Sequence, residues 1–144
     1  MRGVTTLDFL LGTWSVERWI DDALSGDVGT FHGTATFVKE SADDARVRFD
    51  EEGVVRFGEY SGRARRRLFF SEQPGSLIDV SFADGHHFIE LDLREGSSKD
   101  HHQCVSDAYD ITTTVIDNDH IEEQWRVQGP AKNYVAVTLM RRRA

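Results

Sequence analysis

The sequence predicts an all-β fold, a closed antiparallel barrel of about ten strands preceded by one short N-terminal plug helix. Three observations predict it. After residue 12 the apolar residues recur with a period of two; turn residues interrupt the chain at short, regular intervals; and no helical pattern of consequence follows the first dozen residues. An antiparallel meander of this length must either stack as a sandwich or close on itself, and closure is the expectation.

The elements follow in order. Thr5 can cap a first helix, Asp8 three residues on supplies the acidic half of a capping box, and Gly12 ends it. Leu7, Phe9, Leu10 and Leu11 make that helix apolar nearly all round, so a segment too short to stand alone must plug something. TWSVERWID then alternates Trp14, Val16, Arg18 and Ile20 against Thr13, Ser15, Glu17 and Trp19. GDVG turns into GTFHGTATFVKE, with Phe31, Gly33, Ala35 and Phe37 on one face. ARVRFDEEGVVRFGEYSG reads as two strands joined near Glu52–Gly53. RRRLFFSE, SLIDVSF and HHFIELDLRE follow, set apart by QPG, ADG and EGSSKD. HQCVSDAYDITTTVID reads as one long strand, and HIEEQWRVQG and KNYVAVTLMRR complete the series. Pro74 and Pro130 fall in turns, as strands require. No repeat, linker or low-complexity tract divides the chain, so residues 1–144 are expected to form a single domain.

Charge narrows the partners. Lys and Arg total 17 against 25 Asp and Glu, a net charge of -8. Such a surface repels phosphate backbones and anionic membranes, so neither nucleic acid nor membrane is expected. The clusters Arg63, Arg65, Arg66, Arg67 and Arg141, Arg142, Arg143 read as solvated strand ends. Cys104 is the only cysteine, so no intramolecular disulfide can form. The apolar run near the N-terminus is too short for a signal-peptide core or a membrane span, which leads us to expect a cytoplasmic protein. A small-molecule ligand is the expected partner, with homodimer formation left open.

The chemistry-bearing residues concentrate in HHQCVSDAY, residues 101–109. His102 and Cys104 share a strand face, but zinc needs three or four ligands, and no C-x-x-C, H-x-x-x-H or H-E-x-x-H pattern is present. No metal is therefore expected, and no cofactor is assigned. A nucleophilic Cys104 would need His102 as base; a small buried or pocket-lining thiol is the favoured reading. Acid–base work is the more plausible chemistry, with His102, Asp107 and Tyr109 as the candidate catalytic residues. In a regular strand Asp107 and Tyr109 face away from His102 and Cys104, and a β-bulge near Val105–Ser106 would bring all four together. Otherwise Asp107 pairs with Arg126 or Lys132. On the last strand Lys132, Tyr134, Ala136, Thr138, Met140 and Arg142 share a face. Lys132 and Tyr134 could grip an acidic group, with Arg126 supplying a two-pronged donor that Lys lacks. Trp14, Trp19, Trp125 and nine Phe are mostly core, with some left to line a cavity.

Two resemblances follow from these residues. A plug helix leading into Gly12-Thr13-Trp14 resembles the calycin superfamily of lipocalins, fatty-acid-binding proteins and nitrobindins. That resemblance implies a Trp14 that closes the barrel floor beneath an arginine of the last strand, Arg142 or a neighbour. H-x-C-x-x-D-x-Y (His102, Cys104, Asp107, Tyr109) and W-R-V-x-G-P-x-K-x-Y (Trp125, Arg126, Val127, Gly129, Pro130, Lys132, Tyr134) resemble a family of small bacterial calycin-like proteins of unknown function. It implies a fold and a shared pocket, but no activity.

The leading expectation is a barrel that binds a small amphipathic, acidic ligand. Cys104, Trp125, Arg126, Lys132 and Tyr134 would be its ligand-binding residues. An isomerase, cyclase or lyase built on His102, Asp107 and Tyr109 is the alternative; hydrogen bonding among them would favour it. A haem-binding barrel with His86, His87, His101, His102 or His120 as axial ligand is the second alternative.

Overall fold

The computed structural model describes residues 6–41 and 45–143. Helix α1 (Thr6–Leu10) precedes strands β1 (Gly12–Asp22), β2 (Val28–Lys39), β3 (Arg46–Phe57), β4 (Tyr60–Glu72), β5 (Ile78–Phe82), β6 (His87–Leu91), β7 (Ser97–Cys104), β8 (Asp107–Asp117), β9 (His120–Gly129) and β10 (Lys132–Arg142). Every ladder is antiparallel, and the order around the sheet is β6-β5-β4-β3-β2-β1-β10-β9-β8-β7. The chain is thus an all-β meander whose first and last strands pair, curled into a nearly closed barrel. The strands left at the two edges, β6 and β7, close it with side chains. Asp100 accepts a hydrogen bond from the Glu90 amide at 2.6 Å, and the Ser98 hydroxyl accepts one from the Asp92 amide at 3.0 Å. Among the described residues no helix is long and apolar enough to cross a membrane.

Alternation decides which side chains fill the barrel. Trp14, Val16, Phe31, Ala35, Phe37, Val47 and Phe49 are buried and stand in phase along their strands, with Gly33 between Phe31 and Ala35 on the same face. α1 seals one end with Leu7 and Leu10 buried against this core. The Trp14 indole donates to the Leu10 carbonyl at 2.9 Å and meets Phe9 edge-on. The Arg142 guanidinium lies 4.4 Å over the Trp14 ring and donates to the carbonyls of Phe9, Leu11 and Asn118. This is the arginine expected over the floor tryptophan, and its cation–π contact is worth about 0.5–2 kcal/mol. Gly12, expected to end the helix, instead opens β1 at φ 121, a conformation that other residues rarely adopt. Thr5, the expected cap, lies outside the described residues.

Three readings of the chain are corrected. Residues 46–57 form one strand, not two joined at Glu52–Gly53: Gly53 stands opposite Gly33 of β2, where a Cβ on either would strike the facing backbone. This glycine marks close strand approach, not a turn. Residues 102–117, read as one strand, are two, joined by a two-residue turn at Val105–Ser106. These errors offset each other, which is why the count of ten stood. Finally, Ser97–Asp100 belong to β7, not to the turn before it.

Candidate functional site

Among the described residues, none plugs the end of the barrel opposite α1. There the end of β1, the starts of β2 and β10, and the hairpins β3–β4 and β7–β8 form a rim. The rim encloses an open basin of about 340 Å³ lined by Arg18, Ile20, Phe57, Arg66, Trp125 and Tyr134, with Asp22 and Ala136. That volume lies in the range of small-molecule pockets, about 300–1,000 Å³.

Its floor is an ion cluster. Glu51 on β3, only 3% exposed, receives two bonds from Arg18, at 2.6 and 3.2 Å, and one from the Arg66 Nε at 3.0 Å. The Arg18 Nε donates to the Thr138 hydroxyl at 2.7 Å. Burial alone would push the Glu51 carboxyl up; the Arg66 charge and the Arg18 hydrogen bond outweigh it and hold the group below its ordinary value. The Arg66 guanidinium also lies over the rings of Trp125, 5.3 Å away, and Phe49, 5.6 Å away. Two guanidinium groups share one carboxylate, that of Glu51, at the floor. Among the described residues, the terminal nitrogens of Arg66 make no hydrogen bond.

The rim adds a second polar group. The Lys132 ammonium donates to the Tyr109 hydroxyl at 3.0 Å and pairs with Asp107 at 3.3 Å. The Tyr109 bond, with Asp107 beside it, raises the Lys132 pKa despite partial desolvation. Burial raises the Tyr134 hydroxyl. His102 packs through its ring, 5.3 Å from Phe88, 5.9 Å from Phe82 and 5.8 Å from Tyr109. It forms no hydrogen bond to Asp107 or Tyr109.

Residues 101–109 therefore form a hairpin, and the turn does what a bulge was expected to do. Cys104 pairs with Asp107 and His102 with Tyr109 across the ladder, which places all four on one face. Val105 takes φ 55 at the first turn position, where glycine is the usual residue. Cys104 itself is exposed near the hairpin tip.

Trp125 and Tyr134 line the basin, while Asp107, Tyr109 and Lys132 are joined at its rim. Arg126 does not belong with them. It alternates with the inward Trp125 and Val127, and so it is exposed on the outer wall, opposite Asp110. His86, His87, His101 and His120 are likewise exposed, each beside an aspartate.

Arg18, Glu51 and Arg66, the floor of the site, were not among the residues expected there, and Arg66 had been read as a solvated strand end. The signal was present: each charge falls in phase with its strand's apolar face, as in Trp14-Val16-Arg18, Val47-Phe49-Glu51 and Arg66-Leu68-Phe70. An inward charge on an alternating strand is the informative exception to burial. Beneath the floor lies a small inner cavity of about 40 Å³, which shares Arg18, Arg66 and Trp125 with the basin.

A family model described as a family of unknown function, DUF6314, matches residues 10–142. No curated protein matches the sequence. The fold is similar to an S-type phycobiliprotein lyase from Guillardia theta, at TM-score 0.70 and 12% identity, over 96% of this chain and 90% of that one. It is similar to a de novo designed fluorescence-activating β-barrel, at TM-score 0.52 and 12% identity, over 98% and 100% of the two chains. A structure bound to DFHBI matches at TM-score 0.50 and 10% identity, over 94% of both chains. At these identities the likeness concerns the fold, a barrel that other chains use around small molecules.

Proposed function

The chain belongs to the DUF6314 family of unknown function, and from the chemistry of the mouth we propose that it binds a small amphipathic organic acid in the open end of the barrel. One observation carries the reading: Arg66, at the floor of a basin walled by Trp125, Phe57 and Ile20, has terminal nitrogens that bond none of the described residues and shares the Glu51 carboxylate with Arg18. An anion at this point completes a charge-assisted set of bonds while the ligand's apolar part covers the aromatic wall. Tyr134 and Lys132 stand within the same mouth as further contacts. The DFHBI-bound structure, similar in fold, supports the choice of a small-molecule ligand.

Binding is favoured over acid–base chemistry because Asp107 is engaged by Lys132 and His102 is engaged by rings. A general acid and base would need to reach one another or a common substrate atom. The haem reading draws no support either: four of its five candidate histidines lie on exposed positions beside aspartates.

The test is a fluorescence titration with anilinonaphthalene sulfonate, itself a small amphipathic acid. Saturable binding is expected, weakened about 10-fold or more in Arg66→Ala, since bonds to charged groups are worth about 1.5–3 kcal/mol. Arg126→Ala should leave it unchanged. Binding that ignores Arg66 in a folded variant would overturn the proposal.

A further inference from the structure

One level of the barrel interior is polar around half its circumference. The ladders set Arg18 of β1 opposite Thr138 of β10, Thr138 opposite Glu123 of β9, Glu123 opposite Thr113 of β8, and Thr113 opposite Ser98 of β7. Five neighbouring strands thus turn a polar side chain inward at one register. Three of the five, Ser98, Thr113 and Thr138, are buried.

Three members of the row have evident structural partners, Arg18 being bonded to Glu51. Thr138 accepts from Arg18, and Ser98 accepts from the Asp92 amide at the β6/β7 edge. The middle of the row does not. Thr113, 5% exposed, has a buried hydroxyl with no hydrogen-bond partner, and the Trp125 indole N–H is buried in the same condition. Glu123 forms no ion pair or hydrogen bond among the described residues, and it lines the inner cavity with both of them. A buried polar group without a partner is costly to keep, and natural chains keep one for a reason.

Resting on the reading of the mouth as an acid-binding site, we propose that this inner cavity is a second subsite, taking an amide-like group at the far end of the same ligand. The chemistry matches part by part. The Trp125 N–H donates only and needs an acceptor such as a carbonyl oxygen; the Glu123 carboxylate accepts and needs an N–H; the Thr113 hydroxyl can do either. Trp125 and Glu123 are two residues apart on one face, roughly 7 Å along the strand, a span that one amide and two hydrogen bonds can fill. A volume of about 40 Å³ admits a few waters or one such small group, not an alkyl tail of any length. Arg18, Arg66 and Trp125 form the wall common to cavity and basin, so one layer of side chains separates the two subsites. The ligand class is therefore an organic acid with its carboxylate on Arg66 and its amide inside.

The experiment is calorimetric titration of the protein with hexanoate and with the monoamide of adipic acid, which has the same carbon count and a spacer short enough to cross one layer of side chains. The wild type should bind the monoamide at least about 10-fold more tightly. Thr113→Val should reduce that preference while raising Tm, because it removes an unpartnered buried hydroxyl that the amide would otherwise also engage. Equal affinity for the two acids would overturn the inner subsite and leave the mouth reading standing. If Thr113→Val lowers Tm and keeps the preference, the hydroxyl is held by buried water and the inference falls. Failure of both acids to bind would remove the mouth reading, and the subsite with it.

Discussion

The two ends of this barrel use the same device for opposite purposes. At the plugged end Arg142 lies over Trp14 and Phe9, and its donors reach the carbonyls of Phe9, Leu11 and Asn118. At the open end Arg66 lies over Trp125 and Phe49, but only its Nε is engaged, by a carboxylate that Arg18 also holds. A cation bonded all round locks an end shut; a cation with donors to spare leaves an end able to receive something. The lesson is that an arginine on an aromatic ring is a binding group only when its hydrogen bonds are incomplete.

Substitutions can break that contrast, the largest first. Trp14→Ala should cost about 3–5 kcal/mol in denaturant unfolding, as for large aromatic deletions in cores, with little change in ligand affinity where folding is retained. Glu51→Gln should cost about 3 kcal/mol or more, because two arginines then lose their shared counter-charge inside the barrel. The same carboxyl sets a pH dependence. Its folded-state pKa lies below the ordinary 4.5, so its contribution is full above about that pH and is lost as pH falls through the lower folded value. Unfolding free energies of wild type and Glu51→Gln should therefore converge in acid; parallel curves would contradict the assignment.

Arg66→Lys sharpens the comparison further. It keeps the charge but removes the planar fork, so affinity for an organic acid should fall about 10-fold, with a smaller change in stability than Glu51→Gln. The smallest effect concerns the rim. Val105 is β-branched at positive φ, and Val105→Gly should raise stability by about 1 kcal/mol, seen as a higher Tm. A loss of stability there would mean that the Val105 side chain has a use at the mouth.

Much of this architecture is legible in the chain because alternation is a local signal. Trp14-Val16, Phe31-Ala35 and Phe37, and the Arg142 that caps them, follow directly from period and position. The hairpin at Val105–Ser106 does not, because a β-branched valine is a poor residue for a positive-φ turn position and its strain is offset only by the assembled ladder. Gly53 misled for the converse reason: a glycine reads as a turn until the facing Gly33 is known. In the site, Trp125, Tyr134 and the rim group Asp107–Lys132–Tyr109 were legible as residues, though their grouping was not. Arg126 was expected inside as a two-pronged donor beside Lys132 and Tyr134, but the strand period puts it on the wall opposite Trp125 and Val127. The floor of Arg18, Glu51 and Arg66 depends on three strands meeting, a fact no single segment contains.

The edges at β6 and β7 give the barrel one more property. Elsewhere the wall is zipped by ladder hydrogen bonds, whereas here amides of residues 90 and 92 are held by the side chains of Asp100 and Ser98. Side-chain latches release singly, without the cooperativity of a ladder, so in hydrogen–deuterium exchange this line should shed its protection before any other part of the wall. The molecule is in that sense a rolled sheet fastened along one margin, and its margin, rather than its mouth, is where global unfolding should begin.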